Sequence, residues 1–221
     1  MIRTTVAARV TALLLVCLLL PAWSAVAADQ ATGGVNSPDR HGAPYVVLFS
    51  IDGFRWNFSE LADTPAMDRM AAEGMTAEYL QPVFPTLTFP NHYSIATGSL
   101  PRRHGLVGNS FPDTERLHWY DYKDRSTVQD GGWYQLEPLW VTAEKQGLVT
   151  AAYYFVGTEA DIRGIHPTHW RAFDPEASDS ERIGQVLTWL AEPAETRPHL
   201  ISGYSEDVDE HAPWYGPDSP A

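Results

Sequence analysis

A continuous apolar run of strand length covers residues 45–51 and ends directly in Asp52 and Gly53. Such runs, without polar alternation, are typical of strands buried on both faces of a parallel sheet. Parallel strands need long crossover connections, which are usually helices. The other predicted elements are helices at 64–72, 91–97 and 137–146, a helix that starts at a capping box of Ser178 and Glu181, and strands at 149–155 and 199–204. The alternation predicts an α/β fold, a mostly parallel sheet with helices on both faces.

Thr88 stands two residues before Pro90, at the predicted start of the helix at 91–97. Pro90 suits the first helical turn because its φ is fixed and it has no N–H to leave unpaired, and Thr88 occupies the place of a capping residue. A helix N-terminus also favours an anion such as phosphate and stabilises an alkoxide that forms beside it. Thr88 is therefore interpreted either as a plain helix cap or as a nucleophile that attacks phosphorus.

Asp52 follows the first predicted strand, and ligands of open α/β sheets bind outside the carboxyl ends of the strands. A carboxylate at that position can ligate a metal ion, and Gly53 lets the chain turn closely past it. The alternative for Asp52 and Gly53 is an ordinary turn, just as Asn109 after Gly108 indicates a turn when taken alone. Considered together with the Thr88 segment, Asp52 is favoured as part of a site.

From residue 44 to residue 217 the chain resembles the nucleotide pyrophosphatase/phosphodiesterase family of the alkaline phosphatase superfamily. The resemblance rests on motifs in the family's order: SIDGFRW, FPTLTFPNHYSIATG, LPRRHGLVGN, EPLWVTAEKQGL, FVGTEADIRGIHPTHW, ERIGQVLTWLAEPAETRPHLI and YGPDSP. It implies an alkaline-phosphatase-like fold and a zinc-dependent enzyme, with two zinc ions in a complete site, that hydrolyses nucleotide phosphodiester or pyrophosphate bonds.

The resemblance also implies roles for individual residues. Thr88 would be the nucleophile, would form a phospho-threonine intermediate and would ligate one zinc ion, and Asp52 would ligate the same ion. Asn109 and the backbone N–H of Phe89 would hold a non-bridging phosphate oxygen. These residue types suit the chemistry, because metal coordination activates a hydroxyl that is a poor nucleophile at neutral pH and an amide donor stabilises the developing charge.

One part of the motif departs from the family's pattern. The family carries an aspartate and, four residues later, a histidine that bind the other zinc ion. Aligned without gaps, Asp209 takes the place of that aspartate, whereas Pro213, which cannot bind zinc, takes the place of the histidine. His211 lies four residues after Asp207, so a shifted ligand pair is one alternative, and a solvated loop histidine is the other. Asp209 is expected in the loop after the strand at 199–204.

Two aromatic residues are candidates for stacking on a nucleobase. Phe89 resembles a position that contacts the base in the family, and Trp170 lies near a segment that supplies another aromatic side chain. Both are equally compatible with a place in the core, since the chain has 8 Trp, 10 Tyr and 8 Phe and buried aromatic residues dominate packing.

The first 27 residues have the basic start, short apolar run and small residues before a cleavage site that are typical of a secretory signal peptide. Residues 28–43 are predicted to form a flexible leader, followed by one domain at 44–221. The only cysteine, Cys17, lies in the signal peptide, so the mature chain has no disulfide. A secreted protein without cysteine fits a bacterial periplasm or the medium.

The formal net charge of −13 excludes a surface that holds a nucleic-acid backbone. An acidic protein binds small phosphodiesters if metal ions invert the local field, which favours a metal-dependent site. The expected partner is therefore a small-molecule phosphodiester or nucleotide, and no membrane span is predicted after cleavage of the signal peptide.

Other functions stay open from the sequence. A phosphomonoesterase or a phospholipid-headgroup phosphodiesterase of the same superfamily would keep the nucleophile, whereas a catalytically inactive fragment would keep only the fold. The resemblance places the family's remaining zinc ligands, an Asp-His pair and a further histidine, downstream of position 221. The fold is therefore expected to be C-terminally incomplete, with weak zinc binding and little hydrolysis by these residues alone.

Overall fold

The structure is a computed structural model that describes residues 34–216, except for the side chains of 212–215. The predicted signal peptide and the first part of the predicted leader lie outside the described residues. Within residues 34–216, no helix is both long enough and apolar enough to cross a bilayer.

Strands and helices alternate along most of the chain. The strands are β1 (Val46–Ile51), β2 (Ser110–Asp113), β3 (His118–Asp121), β4 (Thr150–Tyr153), β5 (His169–Arg171) and β6 (Leu200–Ser205). The helices are α1 (Phe58–Leu61), α2 (Pro65–Glu73), α3 (Thr88–Thr97), α4 (Pro101–His104), α5 (Arg125–Val128), α6 (Leu139–Lys145), α7 (Asp179–Leu190) and α8 (Asp207–Tyr215), with 3₁₀ turns at Pro38–Arg40 and Gly131–Trp133.

The main sheet has the strand order β1-β6-β4-β5, and every neighbouring pair is parallel. This confirms the α/β fold with a parallel sheet that the sequence predicts. In the β1–β6 register Ser50 lies beside Tyr204, so the carboxyl ends of these two strands meet at one edge of the sheet. A separate antiparallel hairpin of β2 and β3 was not predicted.

Two features of the helices differ from the sequence predictions in ways that matter for the site. Helix α3 begins at Thr88, three residues earlier than the predicted 91, because Pro90 is compatible with several positions of a first turn. Asp209 lies in the first turn of α8, not in a loop. The capping box of α7 is present as predicted, since the Ser178 hydroxyl accepts from the Glu181 N–H and the Glu181 carboxylate accepts from the Ser178 N–H.

The core beneath the site consists largely of aromatic side chains. Its buried members include Phe89, Tyr93, Tyr120, Trp133, Tyr134, Trp140, Tyr154, Phe155 and Tyr204. Tyr93 is fully buried in α3 and donates to the Leu136 carbonyl at 2.5 Å. Aromatic packing of this kind buries much apolar area, so it fixes α3 firmly against the end of the sheet.

Residues of the predicted leader pack against the domain. Asn36 is buried, and its Nδ2 donates to the carbonyls of Ala194 (3.1 Å) and Arg197 (2.9 Å). Its Oδ1 accepts from the Val149 N–H at 2.7 Å, just before β4. Within the described residues, Asn36 of the predicted leader thus packs against the domain.

A buried histidine anchors the first turn of α3. His104 is fully buried, and its Nδ1 accepts from the Leu106 N–H at 3.2 Å, so its Nε2 carries the proton. Nε2 donates to the Ser94 hydroxyl at 2.9 Å, which in turn donates to the Pro90 carbonyl at 2.7 Å. Burial lowers the pKa of His104 from its usual value to about 4.

The lowered pKa predicts a pH-dependent stability. Between about pH 4 and 6.5 the unfolded chain binds the proton that the folded protein excludes, so the free energy of unfolding falls as the pH falls through that range. The slope from this group reaches at most about 1.4 kcal/mol per pH unit. The free energy of unfolding, measured by urea titration at a series of pH values, should change less steeply with pH in His104→Gln than in the unchanged protein. In the exposed control His118→Gln its dependence on pH should be unchanged. The same pH dependence in all three proteins would contradict the assignment.

Candidate active site

A cleft opens at the carboxyl ends of β1 and β6 and contains four of the residues singled out in the sequence. Asp52, Thr88, Asn109 and Asp209 all line it. Asp52 follows β1, Thr88 begins α3, Asn109 precedes β2 and Asp209 lies in α8. The parallel topology thus gathers residues that are as much as 157 positions apart in the chain.

The Asp52 carboxylate is the centre of the hydrogen bonding in the cleft. Its Oδ2 accepts from the Thr88 hydroxyl at 3.0 Å and from the Tyr204 hydroxyl at 2.9 Å. Its Oδ1 accepts from the Gly53 N–H at 3.1 Å, and its own N–H donates to the Ser205 carbonyl at 2.9 Å. The carboxylate is therefore held from both oxygens and from the backbone.

Thr88 is the first residue of α3 and not its cap. The N-cap position is Leu87, and no side chain caps the helix there. The Thr88 hydroxyl is directed to Asp52 instead, so it is placed between a carboxylate and the positive end of a helix of ten residues. An anion bound in the cleft would face the same helix end.

His92 joins α3 to β1 behind the nucleophile candidate. Its Nδ1 donates to the Thr88 carbonyl at 2.8 Å, because a carbonyl only accepts, and its Nε2 then accepts from the Ser50 hydroxyl at 2.9 Å. The ring is buried against Phe155 and Tyr204. Both ring nitrogens are thereby occupied, so His92 supports the position of Thr88.

Asp209 approaches Asp52 because a glycine lies between them. Gly53 has φ +70°, and a Cβ atom at this position would lie 2.8 Å from the Asp209 Cα atom, so only glycine fits. The pKa of Asp209 is raised, first by its burial and second by the negative charge of Asp52. A cation between the two carboxylates would relieve this repulsion.

The residues of the cleft fit a divalent cation in part. Asp52, Thr88 and Asp209 offer oxygen ligands, fewer than the about four ligands that zinc takes in proteins. Across residues 34–216, no three His, Cys, Asp or Glu side chains lie close enough together to form a metal site by themselves. The described residues therefore offer fewer ligands than a complete zinc site needs.

Asn109 is tied to the backbone at the start of α3. The Phe89 N–H donates to Asn109 Oδ1 at 3.0 Å, which leaves Nδ2 as the donor end of the amide in the cleft. The Phe89 ring is buried and makes edge contacts with Tyr120 and Tyr122. In this structure, the ring is thus part of the core and does not line the cleft.

Two other candidates from the sequence lie away from the cleft lining. Trp170 is in β5 and stacks on His166, with ring centroids 5.1 Å apart. His211 is exposed on α8, and its Nδ1 donates to the Asp207 carbonyl at 2.7 Å. The structure brings neither residue to Asp52 or Thr88.

Tyr204 was not predicted as a site residue, although its hydroxyl donates to Asp52. Burial raises the pKa of its hydroxyl, and the neighbouring Asp52 charge raises the pKa further, so Tyr204 is a donor to Asp52 at any physiological pH. Its position at the carboxyl end of a predicted strand was the only available signal. The cleft is also lined by Arg55, Trp56 and Tyr79, which can contact a bound ligand.

The fold is that of an α/β protein with its cleft at the carboxyl ends of parallel strands, and residues 46–221 match the family described as type I phosphodiesterase / nucleotide pyrophosphatase. The chain belongs to this family of hydrolases. The family predicted from the sequence motifs is thereby confirmed.

Individual relatives agree with this assignment. The chain is 36% identical to human ectonucleotide pyrophosphatase/phosphodiesterase family member 1 over 79% of this chain and 19% of the relative. It is 35% identical to the venom phosphodiesterase CdcPDE of Crotalus durissus collilineatus, over 85% of this chain and 23% of the relative. The chain thus spans about a fifth of the length of these curated relatives.

Solved structures match at the level of the fold as well. Human ectonucleotide pyrophosphatase/phosphodiesterase 5 aligns with a TM-score of 0.75 and 30% identity, over 80% of this chain and 46% of that chain. The murine counterpart aligns with the same TM-score and 26% identity, over 80% of this chain and 47% of that chain; its solved forms include an inactive threonine-to-alanine variant in complex with AMP.

Proposed function

We propose that this chain supplies the nucleophile and part of the metal site of an enzyme that hydrolyses nucleotide phosphodiester or pyrophosphate bonds. The main support for the proposal is the position of the Thr88 hydroxyl. It lies at the N-terminus of α3 in an open cleft, 3.0 Å from Oδ2 of Asp52. The inactive threonine-to-alanine relative that binds AMP supports both the residue type and the substrate class.

The proposed reaction proceeds in two displacements. The Thr88 oxygen attacks phosphorus while its proton is lost to the surroundings, the bond to the leaving oxygen breaks, and that oxygen departs with a proton. A water molecule then cleaves the phospho-threonine ester and restores the hydroxyl. Negative charge that develops on the phosphoryl oxygens lies near the N-terminus of α3 and the Asn109 Nδ2 donor.

Zinc is the cation that we propose for the cleft. Asp52 and Thr88 would hold one ion and Asp209 another, with His211 as a candidate that reaches the site only if its side chain leaves the Asp207 carbonyl. Bound zinc would lower the pKa of the Thr88 hydroxyl and neutralise the two carboxylates. The number of ions, two, comes from the family resemblance.

Substrate, base contact and compartment complete the proposal. The substrate is a small nucleotide. Phe89 and Trp170 are the residues that the family resemblance offers for contact with its base, although neither lines the cleft. Secretion through the predicted signal peptide is supported by relatives that are named as ectoenzymes and venom enzymes. Export to a bacterial periplasm or to the medium stays a prediction.

A panel of chromogenic esters tests the proposed substrate class. Because these residues alone are expected to bind zinc weakly, the zinc and activity measurements use this chain with the downstream half of a homologous chain placed after residue 221. This purified protein is supplied with zinc and offered the p-nitrophenyl ester of thymidine monophosphate, p-nitrophenyl phosphate and p-nitrophenyl phosphocholine. The nucleotide ester should be hydrolysed fastest, and a chelator should stop the reaction. Preference for phosphate or phosphocholine would favour a phosphomonoesterase or a headgroup phosphodiesterase instead.

Asn109 is predicted to act on the rate and not on metal binding. Loss of one donor to a developing oxyanion lowers kcat by about 10²-fold or more, so Asn109→Ala should show that fall while its zinc content stays unchanged. Asn109→Asp keeps an oxygen that accepts from the Phe89 N–H but loses the Nδ2 donor. If the Asp variant kept the full rate, Asn109 would act only as a brace for the backbone.

A further inference from the structure

The Tyr204 hydroxyl contacts Asp52, although Tyr204 belongs to the sheet and does not line the cleft. It lies near the end of β6, beside Ser50 of β1, and its side chain is only 5% exposed. Its hydroxyl reaches across the strand pair and donates to Asp52 Oδ2 at 2.9 Å. A buried hydroxyl with this reach is not needed to fill the core, because the phenyl ring alone would do so.

Tyr204 and Thr88 contact the same oxygen atom of Asp52. Both hydroxyls donate to Asp52 Oδ2, at 2.9 Å and 3.0 Å respectively. The Asp52 Oδ1 atom receives the Gly53 N–H. Donors to both oxygens therefore fix the side-chain torsion of Asp52. When Thr88 loses its proton, the Tyr204 hydroxyl still holds Oδ2.

The surroundings of Tyr204 fix its ring and its backbone. The ring packs edge-on against His92 (5.1 Å) and Tyr154 (5.3 Å). Its carbonyl accepts from the guanidinium of Arg182, which is 3% exposed, at 3.1 Å. Arg182 also forms a two-point ion pair with Glu206, the residue between β6 and α8.

We propose that Tyr204 is a positioning residue whose hydroxyl holds the Asp52 carboxylate in the orientation that binds a divalent cation and orients Thr88. The inference rests on the proposed function, since it assigns Asp52 to the metal. Groups that hydrogen-bond a ligating carboxylate fix its direction, and their loss typically costs about 10–100-fold in metal affinity or activity.

The test is the zinc affinity of Tyr204→Phe, which removes the hydroxyl and keeps the ring. A competition titration with a fluorescent zinc chelator should give an affinity about 10–100-fold weaker than that of the unchanged protein. With the nucleotide ester, kcat should fall while KM changes little, since Tyr204 does not line the cleft. Thermal unfolding without metal is measured in parallel, because a general loss of folding would lower the melting temperature as well.

Tyr154→Phe is the matched control. It removes another buried hydroxyl, on a ring whose centroid lies 5.3 Å from the centroid of the Tyr204 ring. In the part of the chain that the structure describes, the Tyr154 hydroxyl donates no hydrogen bond to Asp52. Its zinc affinity should equal that of the unchanged protein. An equal loss in both variants would show a general effect of the buried hydroxyls and would overturn the proposal.

Asp52→Asn distinguishes a failure of the metal assignment from a failure of the role proposed for Tyr204. If it leaves zinc affinity unchanged, or if the unchanged protein binds no zinc, the metal assignment in the proposed function fails, and the role of Tyr204 fails with it. If Asp52→Asn weakens binding but Tyr204→Phe binds zinc as tightly as the unchanged protein, the role of Tyr204 alone is refuted.

Discussion

Thr88→Ala is expected to reduce hydrolysis of the nucleotide ester to the rate of the zinc-free control. The substitution deletes the nucleophile and a metal ligand together, and no other hydroxyl donates to Asp52 from the N-terminus of α3 in residues 34–216. The fold should survive, since one lost hydrogen bond contributes about 1 kcal/mol to stability. Thr88→Ser should retain part of the activity because it keeps a hydroxyl at the same place.

Thr86→Ala is the control for this substitution. Thr86 lines the same cleft two residues earlier, but its hydroxyl donates to the Val83 carbonyl at 3.3 Å and not to Asp52. Thr86→Ala should hydrolyse the nucleotide ester at the rate of the unchanged protein. A folded Thr88→Ala protein with an unchanged rate would assign the nucleophile to another residue.

Asp52→Asn and Asp209→Asn are each expected to lower zinc affinity by more than the about 10–100-fold that loss of an orienting partner costs. A neutral amide is a poorer ligand than a carboxylate for a divalent cation, and each change removes one of the two negative charges that face the cleft. Zinc content by elemental analysis and affinity by chelator competition measure the effect.

Asp207→Asn distinguishes the two possible ligand pairs of α8. Asp207 starts the same helix but does not line the cleft, so its replacement should leave zinc affinity unchanged. Loss of affinity in Asp207→Asn and His211→Ala, with none in Asp209→Asn, would instead favour the shifted pair with four-residue spacing.

Local sequence signals predicted the parts of the fold that depend on local physics. The apolar run before Asp52 predicted a parallel strand, and Ser178 with Glu181 predicted the start of α7. The predicted burial of that strand was wrong, because β1 lies at the edge of the four-stranded sheet and Val46 and Val47 are exposed. The family resemblance predicted that Asp52 and Thr88 act together, and the structure places their side chains 3.0 Å apart. The strand and the start of α7 could be predicted because periodicity and capping are local properties.

The remaining features depend on long-range packing. The hydrogen bond from Tyr204 to Asp52 depends on the β1–β6 register. The sequence around a tyrosine in a strand does not indicate which distant residue its hydroxyl contacts. The helix that carries Asp209 was missed because a proline at position 213 disfavours a helix there. The buried Asn36 was missed because a short polar segment gives no signal of the distant carbonyls that it contacts.

Mass spectrometry of an acid-quenched reaction tests whether Thr88 is the nucleophile. The zinc-loaded protein is mixed with the p-nitrophenyl ester of thymidine monophosphate, quenched at a series of short times and digested. We expect a thymidine monophosphate adduct on the peptide that contains Thr88, located on its hydroxyl and missing in Thr88→Ala. An adduct on any other residue, or hydrolysis without a Thr88 adduct at every quench time, would contradict it.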